Sequence, residues 1–486
     1  MELAARLRWN SIFLLLSSGI RLLTNALLFL GLARFYGPEA FGQFTIAHTL
    51  ATLFLLVADF GLDLLFTTEV ARQRPHIDAL FRSFAVVKLF FAGLAVTGMW
   101  LLPEFHEFSD TTRWLIYIFS FSTACNALTN FIFALFKGLE QFRYETRVSF
   151  VENLVLLLGL VVLGVLHAPL WLFAAMFAGT RFLGLLIAAA LAVRFVRPRA
   201  LSGLRLAECR DVMRKGWVFG AHLLFEACYY QLDTVLLALW KGDYVVGIYQ
   251  AGMKLMALAL TLPDILIGAV LPALSYFHGK DEARWLQLGK LLNKTLFFLA
   301  LPLALIFFVY PEPVVRLLYG AENFAPAVPI MRVTALIILS RLVLAAYGIM
   351  LTTSGRHRVR MITVALATLL ALGLHSYAIP RYGAYGAAWV SVAVNFFVAV
   401  IFAFSCRAFF LKWTLEKHYL LPGLLFAILG FMLWRFAELH AWYGIALVGI
   451  FSLLIIYFAG YSKNERKKML FDLSRDGLRA GLKGER

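Results

Sequence analysis

Apolar residues run through this chain in long blocks rather than short alternations, and brief polar segments separate them. A helix needs roughly 20 mostly apolar residues to cross a hydrocarbon core. Such blocks fall at 11–34, 42–66, 81–102, 114–136, 148–166, 169–193, 216–240, 245–277, 286–309, 325–352, 361–379, 384–406, 418–435 and 442–460. They predict about fourteen transmembrane helices, spans 1 to 14, and the pattern supports a count between twelve and fourteen. The expected fold is an all-α integral membrane protein. Pro263 and Pro272 predict kinks in the long eighth span, because proline lacks the backbone donor and clashes with the preceding turn. A short hinge is expected at "LHAPLW" (166–171).

The first residues, "MELAARLRWNSIFLLLSS", have the basic start and apolar run of a signal peptide. The apolar character continues past Arg21 to Ala33 without a small-residue cleavage site, so a retained first span is expected.

Composition sharpens this reading. The chain is 62% hydrophobic and 15% charged, with a mean hydropathy of +0.80. Soluble domains are roughly 45–50% apolar and about 25% charged. The four cysteines (Cys125, Cys209, Cys228, Cys406) form neither a CxxC pair nor a cluster with histidine, so no disulfide framework or metal site is expected.

The formal charge is +17, from 45 Lys and Arg against 28 Asp and Glu. Its distribution sets the orientation. With the N-terminus inside, and with Arg34, Arg82, Lys290 and Arg435 near span ends counted with the adjoining loops, 32 basic residues fall in cytoplasmic segments, 6 outside and 7 within spans. Both termini are therefore expected in the cytoplasm. Segment 194–215 and the tail "KNERKKMLFDLSRDGLRAGLKGER" hold 15 of the 32. Leu470, Phe471, Leu473, Leu478 and Leu482 lie among the tail's charges. That composition suits an interfacial helix on anionic membrane lipids, with a specific regulatory site as the alternative. No nucleic-acid partner is expected.

An internal repeat is present. "YGPEAFGQF" (36–44) follows span 1 and "KGDYVVGIY" (241–249) follows span 7. At an offset of 205 residues, Gly37 meets Gly242, Gly42 meets Gly247, Asp59 meets Asp264, and Arg21 meets Glu226 with the sign reversed. Six spans separate the copies, so both have the same orientation. This implies two six-helix bundles related by a pseudo-twofold axis along the membrane normal. The expected division is 1–200 and 201–410 for the bundles, 411–462 for spans 13 and 14, and 463–486 for the basic cytoplasmic tail.

Thirteen charged residues fall inside spans: Arg21, Lys88, Arg181, Lys254, Lys294, Arg332 and Arg341, and Asp59, Asp63, Glu152, Glu226, Asp233 and Asp264. Each would cost about 2.5–3.5 kcal/mol at a helix centre facing lipid. Asp63, Glu152, Lys294 and Arg332 lie near span ends, where snorkelling or interfacial pairing is expected; Lys88 is intermediate. Arg21, Arg181, Lys254 and Arg341 are at mid-depth. Structural ion pairs are one reading. The other is a water-filled cavity of positive potential, suited to a phosphate, which Arg contacts bidentately and Lys as a point charge. Asp59, Glu226 and Asp264 would then balance charge or couple transport to Na+ or H+. His48 and His222 are expected to be interhelical hydrogen-bonding groups. No P-loop and no H-E-x-x-H is present, and the outer loops are too short for a catalytic domain. No catalytic residue, metal or cofactor is expected.

Three stretches resemble the oligosaccharide flippase (polysaccharide biosynthesis protein) family, within the multidrug/oligosaccharidyl-lipid/polysaccharide exporter superfamily. They are "RFYGPEAFGQFTIAHTLATLFLLVADFGLDLLFTTEVAR" (34–72), "YYQLDTVLLALWKGDYVVGIYQAGMKL" (229–255) and "YGAYGAAWVSVAVN" (382–395). The resemblance covers spans 1–12. It implies alternating access around a central cavity, carrying an undecaprenyl-pyrophosphate-linked oligosaccharide such as an O-antigen unit to the outer leaflet of a bacterial plasma (inner) membrane. A polysaccharide polymerase or glycosyltransferases would be partners. Arg21, Arg181, Lys254 and Arg341 are the residues expected at the headgroup, chosen by depth. Related lipid II flippases carry an Arg-Asp pair in the first helix, whereas Leu22 follows Arg21 here. A multidrug/cation antiporter of the same superfamily and a membrane polymerase or ligase of lipid-linked sugars are the alternatives.

Overall fold

The computed structural model describes residues 2–72, 77–196, 206–320, 323–407, 416–435 and 441–460. Among the described residues the secondary structure is helical: α1 Glu2–Asp59, α2 Leu62–Arg72, α3 Ile77–Phe105, α4 Asp110–Gly138, α5 Phe142–Val165, α6 Leu170–Ala192, α7 Leu206–Lys241, α8 Asp243–Phe277, α9 Glu282–Val309, α10 Pro311–Tyr319, α11 Ala327–Thr353, α12 His357–Ser405, α13 Lys417–Arg435 and α14 Ala441–Ile455, which runs into a π-turn at Ile456–Gly460. A chain of this hydropathy can satisfy its backbone polar groups in lipid by forming helices. The protein is an all-α, multi-pass membrane protein.

Eleven helices in the described residues are long and apolar enough to cross a bilayer. Two of them each contain two spans. α1 breaks at Gly37 (φ 79, ψ −179), and α12 breaks at Gly383 (φ 57). α7, at 36 residues, is long enough to span but is not among the eleven by apolar content. α8 remains one helix over Asp243–Phe277 and carries both Pro263 and Pro272 inside it. The hinge near 166–171 is the turn between α5 and α6, where His167 has φ 49. Lipid-facing positions expose large apolar side chains, among them Phe90, Leu158, Leu369 and Phe404. The basic tail and most of its approach, 461–486, lie outside the described residues.

The chain divides into two compact units. The first comprises Met1–Lys254, Val315–Ala327 and Val364–Ser391; the second comprises Leu255–Val314, Val328–Thr363 and Val392–Arg486.

In the first unit, the repeat seen in the sequence has a structural counterpart. Gly37 and Gly242 both adopt φ +79, a left-handed conformation that costs glycine little. Each ends one helix and starts the next. Four to five residues later the new helices cross. A Cβ on Gly42 would overlap the Asp243 carbonyl oxygen, and a Cβ on Gly247 would overlap the Pro38 carbonyl oxygen. Pro38 and Asp243 are themselves 205 residues apart, so the contact is reciprocal under the repeat offset. The Asp243 carboxylate also accepts hydrogen bonds from Ser109 (2.5 Å) and Thr112 (3.0 Å) at the start of α4. An aromatic cluster packs α2, α3 and α4 together, with Phe66 stacked on Phe131 at 4.6 Å.

In the second unit, α13 and α14 pack on α9. Phe298 meets Phe426 and Ile455, and Tyr310 meets Leu429, Leu433 and Val448. Lys290 of α9 holds Glu416 at 2.5 Å just before α13. Beside this ion pair, an apolar groove of about 640 Å³ is lined by Phe297, Val343, Tyr419, Leu420 and Leu424 among others.

Candidate functional site

The site starts from one face of α5. Glu145, Ser149 and Glu152 are spaced i, i+4 and i+7, which stacks them along a single helical stripe. All three are almost completely buried, at 1%, 1% and 4% exposure. Buried carboxylates need partners, and three neighbouring helices supply cations. Arg21 of α1 reaches Glu145 Oε1 at 3.2 Å, and Lys137 of α4 reaches the same oxygen at 3.4 Å. Arg181 of α6 reaches Glu152 Oε2 at 3.3 Å and lies over the Phe177 ring at 5.0 Å. Arg21 also acts electrostatically on Glu152. Gly184 makes room for the Glu152 carboxylate, since a Cβ there would overlap Glu152 Oε1.

Four of these groups, Arg21, Ser149, Glu152 and Arg181, border a cavity of about 280 Å³ within the first unit. Arg21, Arg181 and Glu152 line it together with Asn25, Asn126, Asn130, Ser122, Thr123, Ser149 and His48. Phe119, Phe133 and Phe177 give it an apolar wall. Its polar lining is rich in donors, and the Ser149 hydroxyl is buried there without a hydrogen-bond partner. Glu145 Oε2, one turn away on α5, is also buried without one.

Lys254 stands beside this cavity. Its ammonium lies 3.9 Å from the centre of the Phe29 ring, which in turn packs edge-on against His48 at 5.2 Å. Lys254 and Arg181 both act electrostatically on His48. Among the described residues, Lys254 has no carboxylate partner. The first unit thus gathers Arg21, Lys137, Arg181 and Lys254 against Glu145 and Glu152, a surplus of two positive charges.

The remaining sequence candidates fall elsewhere. Arg341 acts on Asp264 inside the second unit. Asp59 ends α1 and accepts the Asp63 backbone N–H at 3.0 Å, as a residue closing one helix and opening the next. Lys88 of α3, fully buried, bridges Asp59 (3.1 Å) and Asp63 (2.7 Å). The aspartates equivalent by the repeat, Asp59 and Asp264, therefore each sit near a cation from another helix. The side chain of Glu226 lies outside the described residues, as does that of His222.

Of the residues expected near span ends, Glu152 takes the pairing route, with Arg181, rather than snorkelling. Lys294 is buried at 0% exposure, and so is Lys88. Other helices cover these side chains, which a single-helix reading cannot register. Glu145 escaped notice because it precedes the fifth apolar block. The Asp233 network was visible only as part of a motif: Asp233 accepts hydrogen bonds from the Thr234 N–H (2.6 Å), the Thr234 hydroxyl (3.1 Å) and the Tyr249 hydroxyl. No group of three or more His, Cys, Asp or Glu suited to a metal occurs among the described residues.

A family profile described as Polysaccharide biosynthesis protein matches residues 7–278, and one described as MatE matches residues 220–377. Over 264 residues the chain is 25% identical to the "Putative O-antigen transporter" of Shigella dysenteriae. That match covers 52% of this chain and 64% of the relative, so the chain spans less than two thirds of the relative's length. Among solved structures, the lipid II flippase MurJ in an inward closed conformation superposes with a TM-score of 0.73 at 14% identity, covering 92% of this chain and 98% of that one. An inward-facing multidrug resistance MATE family transporter of the MOP superfamily gives 0.64 at 13% identity, covering 81% and 95%. At these identities the likeness is one of fold.

Proposed function

Because the chain belongs to the polysaccharide biosynthesis protein family, we propose that it is a flippase for a lipid-linked oligosaccharide rather than an enzyme. It moves an undecaprenyl-pyrophosphate-linked glycan from the cytoplasmic to the outer leaflet of a bacterial plasma membrane by alternating access. The observation that carries this reading is the charge balance of the cluster around the two buried glutamates. Its surplus of two positive charges matches the two negative charges of a pyrophosphate diester. Arg21 and Arg181 contact the phosphates, and Lys254 adds field from behind the Phe29–His48 wall. Asn25, Asn126 and Asn130 line the cavity and would supply amides to a sugar, and the phenylalanine wall would offer it an apolar face. The lipid tail stays in the bilayer. The two bundles at 1–200 and 201–410 are the moving parts, with Arg341 and Asp264 the corresponding charge pair of the second. The termini lie in the cytoplasm, near the glycosyltransferases or polymerase that make and use the cargo.

The MatE match over 220–377 and the MATE fold likeness favour a second reading, a multidrug/cation antiporter. A cationic cargo would be repelled by the surplus of positive charge. Deleting the gene tests the choice. A lipid-linked glycan should accumulate on the cytoplasmic leaflet, chemically unchanged. Normal glycan export with new sensitivity to cationic drugs would point to the antiporter instead.

A further inference from the structure

Arg21 and Arg181 are not bare cations: each faces a carboxylate buried on the same stripe of α5. We infer that Glu145 and Glu152 are resident counter-ions that exchange places with the phosphates of the cargo, holding the arginines when the site is empty and reclaiming them to expel the headgroup. This rests on the flippase reading and deepens it.

The geometry gives three reasons. First, the pairs are incomplete. Glu145 shares one oxygen, Oε1, between Arg21 and Lys137 at 3.2 and 3.4 Å, while Oε2 is buried with no partner. A purely structural carboxylate would use both oxygens, since each buried unpaired acceptor is costly. Second, the pairs leave donors free. Each arginine presents five N–H groups. The single contact of each to α5 leaves the remainder available, and Arg21 keeps 37% of its side-chain surface open. Third, the carboxylate has a place of its own beside α6. Gly184 leaves the slot that Glu152 Oε1 fills, and Glu152 and Arg181 both border the cavity, so an anion there meets the arginine and its carboxylate together. Ser149, between the two glutamates on the same stripe, offers a buried unpartnered hydroxyl to whichever anion holds the cations.

A transporter must release its cargo as well as bind it. Two arginines without counter-ions would hold a pyrophosphate too firmly to turn over. An internal carboxylate that competes for the same guanidinium lowers the affinity and makes release a substitution instead of a bare charge separation in low dielectric.

The test uses the purified full-length protein, inorganic pyrophosphate as binding probe at low ionic strength, and flipping of a lipid-linked sugar in proteoliposomes as the transport readout. Glu152→Gln and Glu145→Gln should each bind pyrophosphate about tenfold tighter than the parent. Both should flip more slowly at saturating cargo, with KM and kcat falling together. Glu152→Asp should restore much of the turnover. Should one variant fail to fold, the other decides. If the parent binds pyrophosphate and the folded glutamine variants bind it equally or more weakly, the exchange is wrong and the flippase reading stands. If the parent neither binds pyrophosphate nor flips a lipid-linked sugar, both fall.

Discussion

Gly42 and Gly247 face each other across a helix crossing in which each occupies the space that the other's side chain would need. The carbonyl blocking a Cβ on one glycine belongs to the residue four positions before the other, Asp243 or Pro38. The contact is thus its own image under a shift of 205 residues, within the first unit.

Substituting either glycine should therefore act through the backbone. Gly42→Ala and Gly247→Ala should each destabilise the protein by about 1–3 kcal/mol, the usual range for overpacking. Neither obstructing atom is a side chain that can swing aside. Thermal unfolding in detergent would show a lower midpoint for both variants, of similar size. An unchanged midpoint would mean that the crossing is looser than described.

Two lysines of the first unit, Lys88 and Lys254, should respond in opposite ways to loss of charge. Lys88 bridges two aspartates, so Lys88→Met strands both and should cost about 3–5 kcal/mol. The triple change Lys88→Met, Asp59→Asn, Asp63→Asn should recover much of that loss. Lys254 has an aromatic ring and no carboxylate partner among the described residues. Lys254→Met should leave the unfolding midpoint unchanged or raise it, while weakening pyrophosphate binding. Thermal unfolding and calorimetric titration on the same preparations separate the two effects.

The Asp233 network should behave as a structural unit. Tyr249→Phe removes one donor to Asp233 and should cost about 1–3 kcal/mol. Asp233→Ala should cost more, because it removes the acceptor shared by Thr234 and Tyr249, leaving the Tyr249 hydroxyl only its contact to Ser391 at 3.3 Å. Additive losses in the double variant would argue against a shared network.

The span pattern could be read from the sequence because hydrophobic length is a local property, and a helix that must cross about 30 Å of hydrocarbon announces itself in one stretch. The breaks at Gly37 and Gly242 were legible for a similar reason: both glycines take a left-handed backbone. Pairing was not legible. Whether Arg21 meets Glu145 or Arg181 meets Glu152 depends on how α1 and α6 are rotated against α5, and rotation is fixed by packing between helices. Glycine at 184 is a case in point. Its value lies in the carboxylate it admits from another helix, and nothing in its own neighbourhood of sequence signals that.

The most direct measurement is leaflet transfer of an undecaprenyl-pyrophosphate-linked oligosaccharide by the full-length protein in proteoliposomes, comparing the parent with Arg21→Ala, Arg181→Ala and the double variant. The parent should move the lipid, each single change should reduce the rate at least about tenfold, and the double change should abolish it, with all variants correctly folded. Transfer at the parent rate by a folded double variant would contradict a cationic cavity as the seat of headgroup binding.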